Sequence, residues 1–198
     1  MKRLLLLSLV ILSFIGSAQK IVVFSKTEKC YVASNESDCS PGNADKTEFL
    51  TLFKLEAKKL SQELTKASLI TPPVEWGKKV SDSTFGEISY LYAFKFGFYV
   101  NLKLVNLLPG HLYSLCLNGN PKLVGNNLLP DTVPNLKIEK YYDFLSVKTD
   151  SKGSYNATIG IFLKPGNYHV RFYVKDTSGF KIVLYHDYFK FSVISAKA

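Results

Sequence analysis

The chain has few of the residues that usually announce chemistry. Its 198 residues include three histidines, three cysteines, one tryptophan and one methionine. His111, His169 and His186 lie far apart, so no zinc-type ligand spacing occurs and neither copper nor zinc is expected. Phosphate-cradling glycine loops, dinucleotide fingerprints and nucleophile elbows are absent, which removes the enzyme classes that depend on them. Lys58-Lys59 and Lys78-Lys79 are the only adjacent lysines, so a formal charge of +9 is not gathered into a nucleic-acid footprint. The length is too short for a TIM barrel with its helices. No cofactor, catalytic residue or metal ligand is assigned from the sequence.

What is present is a globular composition, 46% apolar and 21% charged, with an excess of rings. The 14 Phe, 12 Tyr and single Trp favour pleated, half-buried strands. At the N-terminus, Lys2-Arg3 precedes an apolar run from Leu4 to Leu12. Gly16-Ser17-Ala18 then offer small residues before Gln19. This is the layout of a secretory signal peptide over residues 1–18, and the run is shorter than the roughly 20 residues that span a bilayer. No later segment qualifies as transmembrane. Cleavage would remove two cations and no acid, lowering the formal charge from +9 to +7 over 180 residues. The expected location is therefore periplasmic, cell-surface or secreted, and nucleic acid is not an expected partner.

An oxidising location suits Cys30 and Cys39, which bracket a polar stretch. A disulfide there would restrict the unfolded chain by roughly 2–3 kcal/mol. Cys116, between Leu115 and Leu117, reads as a buried thiol.

Residues 19–84 and 85–198 differ in periodicity. The first part holds a short apolar strand at 21–24, the cysteine loop and one amphipathic helix. Asp45 and Glu48 make a capping box, and Phe49, Phe53, Ala57, Leu60, Leu64 and Ala67 form one apolar stripe. Pro72-Pro73 sets the limit of that helix. From Tyr90 the period becomes two: Tyr90, Tyr92, Phe94, Phe96, Phe98, Val100, Leu102 and Leu104 share one face of a long strand, or of two strands bent at Gly97. Alternating runs follow at 112–117, 142–149, 155–163, 168–175, 180–186 and 188–194. The fold class is mainly β, an antiparallel β-sandwich with one N-terminal helix. Asp176-Thr-Ser-Gly179-Phe180 suggests a three-residue hairpin loop, which pairs Val174 with Ile182, Phe172 with Leu184, Val170 with His186 and His169 with Asp187.

Leu107-Leu-Pro-Gly-His-Leu-Tyr113 resembles the Leu-x-Pro-Gly-x-x-Tyr segment of fibronectin type III and related immunoglobulin-like domains, where the tyrosine hydroxyl bonds back to the turn. Leu163-Lys-Pro-Gly-Asn-Tyr168-His-Val170 resembles a turn-to-strand element of exported bacterial β-sandwich modules. The matches cover about fifteen residues and imply an immunoglobulin-like fold in the broad sense, without catalytic residues. Four or five strands follow Tyr113, where the fibronectin pattern expects one.

Residues 118–140 make a longer connection than such a fold needs. Asn118, Asn120, Asn126, Asn127 and Asp131 suit hydrogen bonds to sugar hydroxyls, with Tyr141 or Tyr142 as a stacking face. The same segment would equally serve as a flap over a sheet edge. The leading expectation is a non-enzymatic exported module that binds an envelope or extracellular protein. A carbohydrate-binding module comes second, and a hydrolase using His169 with Ser192 or Ser195 third.

Overall fold

The computed structural model describes residues 21–25, 30–33, 58, 64–95, 97–120, 123–124, 127–128, 142–179 and 181–194. Thirteen strands form among the described residues: β1 (Ile21–Ser25), β2 (Cys30–Ala33), β3 (Thr65–Leu69), β4 (Phe85–Tyr90), β5 (Ala93–Phe94), β6 (Gly97–Val105), β7 (Leu112–Asn120), β8 (Leu123–Val124), β9 (Asn127–Leu128), β10 (Tyr142–Lys148), β11 (Tyr155–Phe162), β12 (Gly166–Asp176) and β13 (Ile182–Val193). One six-stranded sheet has the order β2-β1-β11-β6-β4-β3. A five-stranded sheet has the order β10-β7-β12-β13-β5, and β8-β9 form a separate ribbon.

Alternation explains the core. On β6, Phe98, Val100, Leu102 and Leu104 are buried while Lys103 is exposed. These side chains meet Tyr113, Leu115, Phe172, Val174 and Leu184 of the second sheet in one cluster. Rings fill much of it: Tyr168 stacks on Phe191 with centroids 4.8 Å apart, and Phe98 lies 4.6 Å from the same ring. Aromatic pairs of this kind add about 0.5–1.5 kcal/mol beyond their burial.

Residues 90–104 are neither one long strand nor a simple bend. β4 and β6 are antiparallel neighbours, with Tyr90 opposite Val100, so the chain reverses between them. On the way it visits the other sheet, where β5 runs parallel to the end of β13. Return to the first sheet requires Gly97, since a Cβ there would overlap the Ile161 carbonyl oxygen. Tyr92 consequently lies outside the core, 58% exposed.

The sequence pattern places Leu64 and Ala67 on a helix, but Thr65–Leu69 is the strand β3, and Leu64 precedes it without helical structure. Pairing with β4, Ala67 opposite Ile88, overrides the three- and four-residue spacing. Lys58 is helical; Asp45, Glu48, Phe49, Phe53, Ala57 and Leu60 lie outside the described residues. β1, β2 and β3, all from residues 19–84, hydrogen-bond into the six-stranded sheet. The signal segment 1–18 and Cys39 lie outside the described residues, so the Cys30–Cys39 pairing does too.

The β12–β13 hairpin also differs in register. Asp176 N–H donates to the Lys181 carbonyl at 2.8 Å, which closes a four-residue loop. The longer loop moves the register by one position, and an irregularity at Val183 moves it by another, so that Val174 faces Leu184 and Phe172 faces His186 instead of Ile182 and Leu184. A second irregularity leaves Arg171 opposite the bulged Asp187-Tyr188, after which Val170 faces Phe189. This extra residue switches the alternation, so that Phe189, Phe191 and Val193 turn inward instead of Tyr188 and Lys190. Turn chemistry alone does not register a strand whose apolar set requires a bulge.

Two tyrosines tie turns to strands. Leu108 N–H donates to Tyr113 Oη at 3.0 Å, and Tyr168 Oη donates to the Lys164 carbonyl at 2.7 Å. Tyr168 is the one followed by a single further strand, β13.

Candidate functional site

The residues singled out in the long connection lie only in part among the described residues. Asn118 is in β7 and 7% exposed, Asn120 ends β7 and Asn127 belongs to β9; Asn126, Asp131 and Tyr141 lie outside the described residues. Tyr142 corrects the expectation of a stacking face. It is 5% exposed on the core side of β10, 6.1 Å from the Phe144 ring, and burial raises its hydroxyl pKa. The residue sits at the inward phase of its strand, opposite Leu117, which sequence proximity to a loop does not reveal.

Polar chemistry gathers instead on the outer face of the five-stranded sheet. Alternation sends Ser114, Cys116 and Asn118 of β7 outward, beside Lys175, Tyr173 and Arg171 of β12 respectively. Asp143 of β10 stands opposite Cys116. Its Oδ1 accepts from Lys175 Nζ at 2.6 Å, from Ser114 Oγ at 2.9 Å and from the Cys116 thiol. Burial works against the charged form of Asp143, but hydrogen bonds from Cys116, Lys175 and Ser114 outweigh it, and its pKa falls below the ordinary carboxylate value. Lys175 behaves likewise: burial disfavours its ammonium, contacts with Asp143 and Cys116 outweigh that, and its pKa rises. Burial, then the bond to Asp143, push the Cys116 thiol far up. The thiol stays protonated and the amine stays charged, so neither is a ready nucleophile. This cluster clamps three strands. Asn118, one row further along the face, has a buried amide oxygen without a hydrogen-bond partner.

Next to the clamp lies an aromatic and cationic stack. Pro72-Pro73 opens a turn in which Trp76 N–H donates to the Pro73 carbonyl, and Trp76 is laid edge-on against Tyr185 at 5.5 Å and Tyr173 at 6.2 Å. The Arg171 guanidinium lies 5.2 Å from the Trp76 ring centre and 4.0 Å from that of Tyr188. Its Nε donates to Asp187 at 2.8 Å. The pairing expected for His169 thus goes to Arg171, because the two-position shift of register that begins near the turn moves Asp187 from His169 to Arg171; beyond the bulge His169 faces Lys190 and rests 4.7 Å from the Tyr188 ring. Trp76 is a ring outside the alternating runs, and Tyr188 opens the run 188–194 in the phase that alternation assigns to the core, so neither carries a local signal of a surface role.

The hydrolase constellation does not form among the described residues. Ser192 Oγ donates to Asn167 Oδ1 at 2.7 Å, and Ser195 lies outside the described residues. His111 Nε2 shares a hydrogen bond of 2.9 Å with Asp176 Oδ1, which links two turns at one end of the sheets. Among the described residues no group of three His, Cys, Asp or Glu could hold a metal ion, and no helix is long and apolar enough to cross a membrane.

Eight large apolar side chains are exposed among the described residues, and three of them, Phe85 of β4, Leu108 and Leu112 of β7, lie apart from the other five. Ile70, Val74, Tyr92, Tyr188 and Ile194 lie along the β13 flank: Ile70 bridges Tyr185, the Val74 turn precedes the bridge from Gly77 to Ile182, and the Tyr92 and Phe94 carbonyls accept from Ser192 and Ile194. Val74 is 93% exposed. The backbone edge of β13 is meanwhile occupied by these bridges and broken by its bulge, so its side chains are offered rather than its hydrogen bonds. Comparison with protein-family models, curated proteins and solved structures finds no match.

Proposed function

We propose that the chain is an exported, non-enzymatic β-sandwich module of the immunoglobulin-like kind that binds an envelope or extracellular protein through its β13 flank. Strand order supports the fold part. β4, β6 and β11 correspond to the A, B and E strands of one immunoglobulin-like sheet, and β7, β12 and β13 to C, F and G of the other. β10 then takes the C′ place beside β7, and Tyr168 is the corner tyrosine before the last strand. The segment 1–18 supports export; N-terminal sequencing of protein recovered outside the cytoplasm should begin at Gln19.

The observation that carries the binding part is the exposed apolar set on the β13 flank, beside a Trp76–Arg171–Tyr188 stack. Apolar surface gathered on one flank marks interaction sites, and Trp, Tyr and Arg dominate their energetics. The Arg171 side chain is held by Asp187 and two rings, so little of its freedom remains to be lost on docking. A photocrosslinking residue at Tyr92 or Tyr188 should yield a discrete protein adduct in the exporting cell. The same residue at Lys103, exposed on the six-stranded sheet, should not. Equal labelling from both sheets, or none from either, would contradict the assignment.

A further inference from the structure

We infer that the partner surface received by the β13 flank is acidic, a protein face bearing Asp and Glu. This rests on the docking surface just proposed and adds its charge. Lys78 follows Gly77, whose backbone bridges Ile182; Lys95 follows Phe94, whose carbonyl accepts from Ile194 N–H; Lys190 belongs to β13 itself. All three are exposed, and among the described residues none forms an ion pair. The acids on this flank are Glu75 and Asp187, and Asp187 is already bound by Arg171. Three ammonium groups therefore stand against one uncommitted carboxylate, interspersed with Ile70, Val74, Tyr92, Tyr188 and Ile194.

Elsewhere on the outer face of the same sheet the situation differs, since Lys175 is neutralised by Asp143 within the fold. Charges left over at the rim of an apolar patch act on approach and on choice of partner more than on tightness. A second copy of this chain would bring the same cationic excess to the contact, and like charges brought together oppose docking. The occupant that fits is a different protein with carboxylates around an apolar centre.

The test uses the full chain carrying a photocrosslinking residue at Tyr188, in the cells that export it. Lys78→Glu, Lys95→Glu and Lys190→Glu are combined in one variant; Lys103→Glu, Lys148→Glu and Lys152→Glu form a control with the same charge change elsewhere. Adduct yield should fall about tenfold or more in the first variant, remain near the parent value in the control, and decline as salt is raised. Thermal unfolding of both variants checks that the exposed substitutions leave the fold intact. An undiminished adduct in the flank variant, or one composed of two copies of this chain, would overturn the acidic-partner inference while leaving the docking surface standing. Absence of any adduct in the parent would overturn both.

Discussion

Along β12 neighbouring residues face opposite environments. Tyr168, Val170, Phe172 and Val174 point into the core at 1% exposure or less, whereas His169, Arg171, Tyr173 and Lys175 line the outer side. The inner row is held by burial, which is additive and tolerant of which ring packs on which. Rows on the outer side are held by specific partners: Asp143 for Lys175, Asp187 for Arg171, Trp76 for Tyr173. One strand thus carries a generic adhesive on one side and directional contacts on the other. Only the second kind can be exchanged for contacts with another molecule.

The largest test of this contrast is Phe172→Ala. The side chain is fully buried, so its loss should cost about 3–5 kcal/mol by urea unfolding. A cost near that of an exposed substitution would mean that the sheets do not share a core.

On the outer side, Asp143→Ala should cost about 1–3 kcal/mol, because it strands the Lys175 ammonium, whose side chain is only 11% exposed. Replacing both partners, Asp143→Leu with Lys175→Met, should recover most of that loss, since no charge is then left buried. If the double variant is as unstable as the single one, the clamp is not electrostatic. Acid titration sharpens the same point. The Asp143 pKa lies below its unfolded value, so its stabilisation is complete above the ordinary carboxylate range and disappears as pH falls through the folded pKa. Asp143→Asn should flatten the acid limb of the stability–pH curve; an unchanged limb would assign it to other carboxylates.

Smaller still is the corner tyrosine. Tyr168→Phe keeps the stacked ring on Phe191 and loses only the bond to Lys164, for about 1 kcal/mol in chemical denaturation. A loss as large as that of Phe172→Ala would show that the hydroxyl, rather than the ring, organises this end of the sheet.

Period-two alternation made the strands and most of the core legible in the sequence. Phe98, Val100, Leu102, Leu104, Phe172 and Leu184 are buried as their phase requires. What alternation cannot contain is a change of phase. The bulge at Asp187-Tyr188 reverses the face of every later residue in β13, and the register shift nearer the turn already moves Asp187 from His169 to Arg171. The chain reversal at 91–96 was hidden for a related reason: the rings on either side keep one phase while the backbone changes sheet. β3 looks helical in the sequence because a short, half-exposed strand carries little pattern of its own and depends on β4 for its form. Side-chain type within a loop carries no information on orientation, and Tyr142 is not a stacking face because the strand that follows the loop begins with it turned inward. The outer cluster is not legible in the sequence because Asp143, Cys116 and Lys175 meet only when three strands lie side by side.

The most direct test separates folding from binding on the one sheet. Tyr188→Ala, in a chain with the photocrosslinking residue at Tyr92, removes an exposed ring whose contact with Arg171 supports the fold by about 0.5–1 kcal/mol. The account predicts a melting curve close to the parent and loss of the protein adduct. An adduct of undiminished yield, or a chain that no longer folds, would contradict the division of β12 and β13 into a side that holds the protein together and a side that meets its partner.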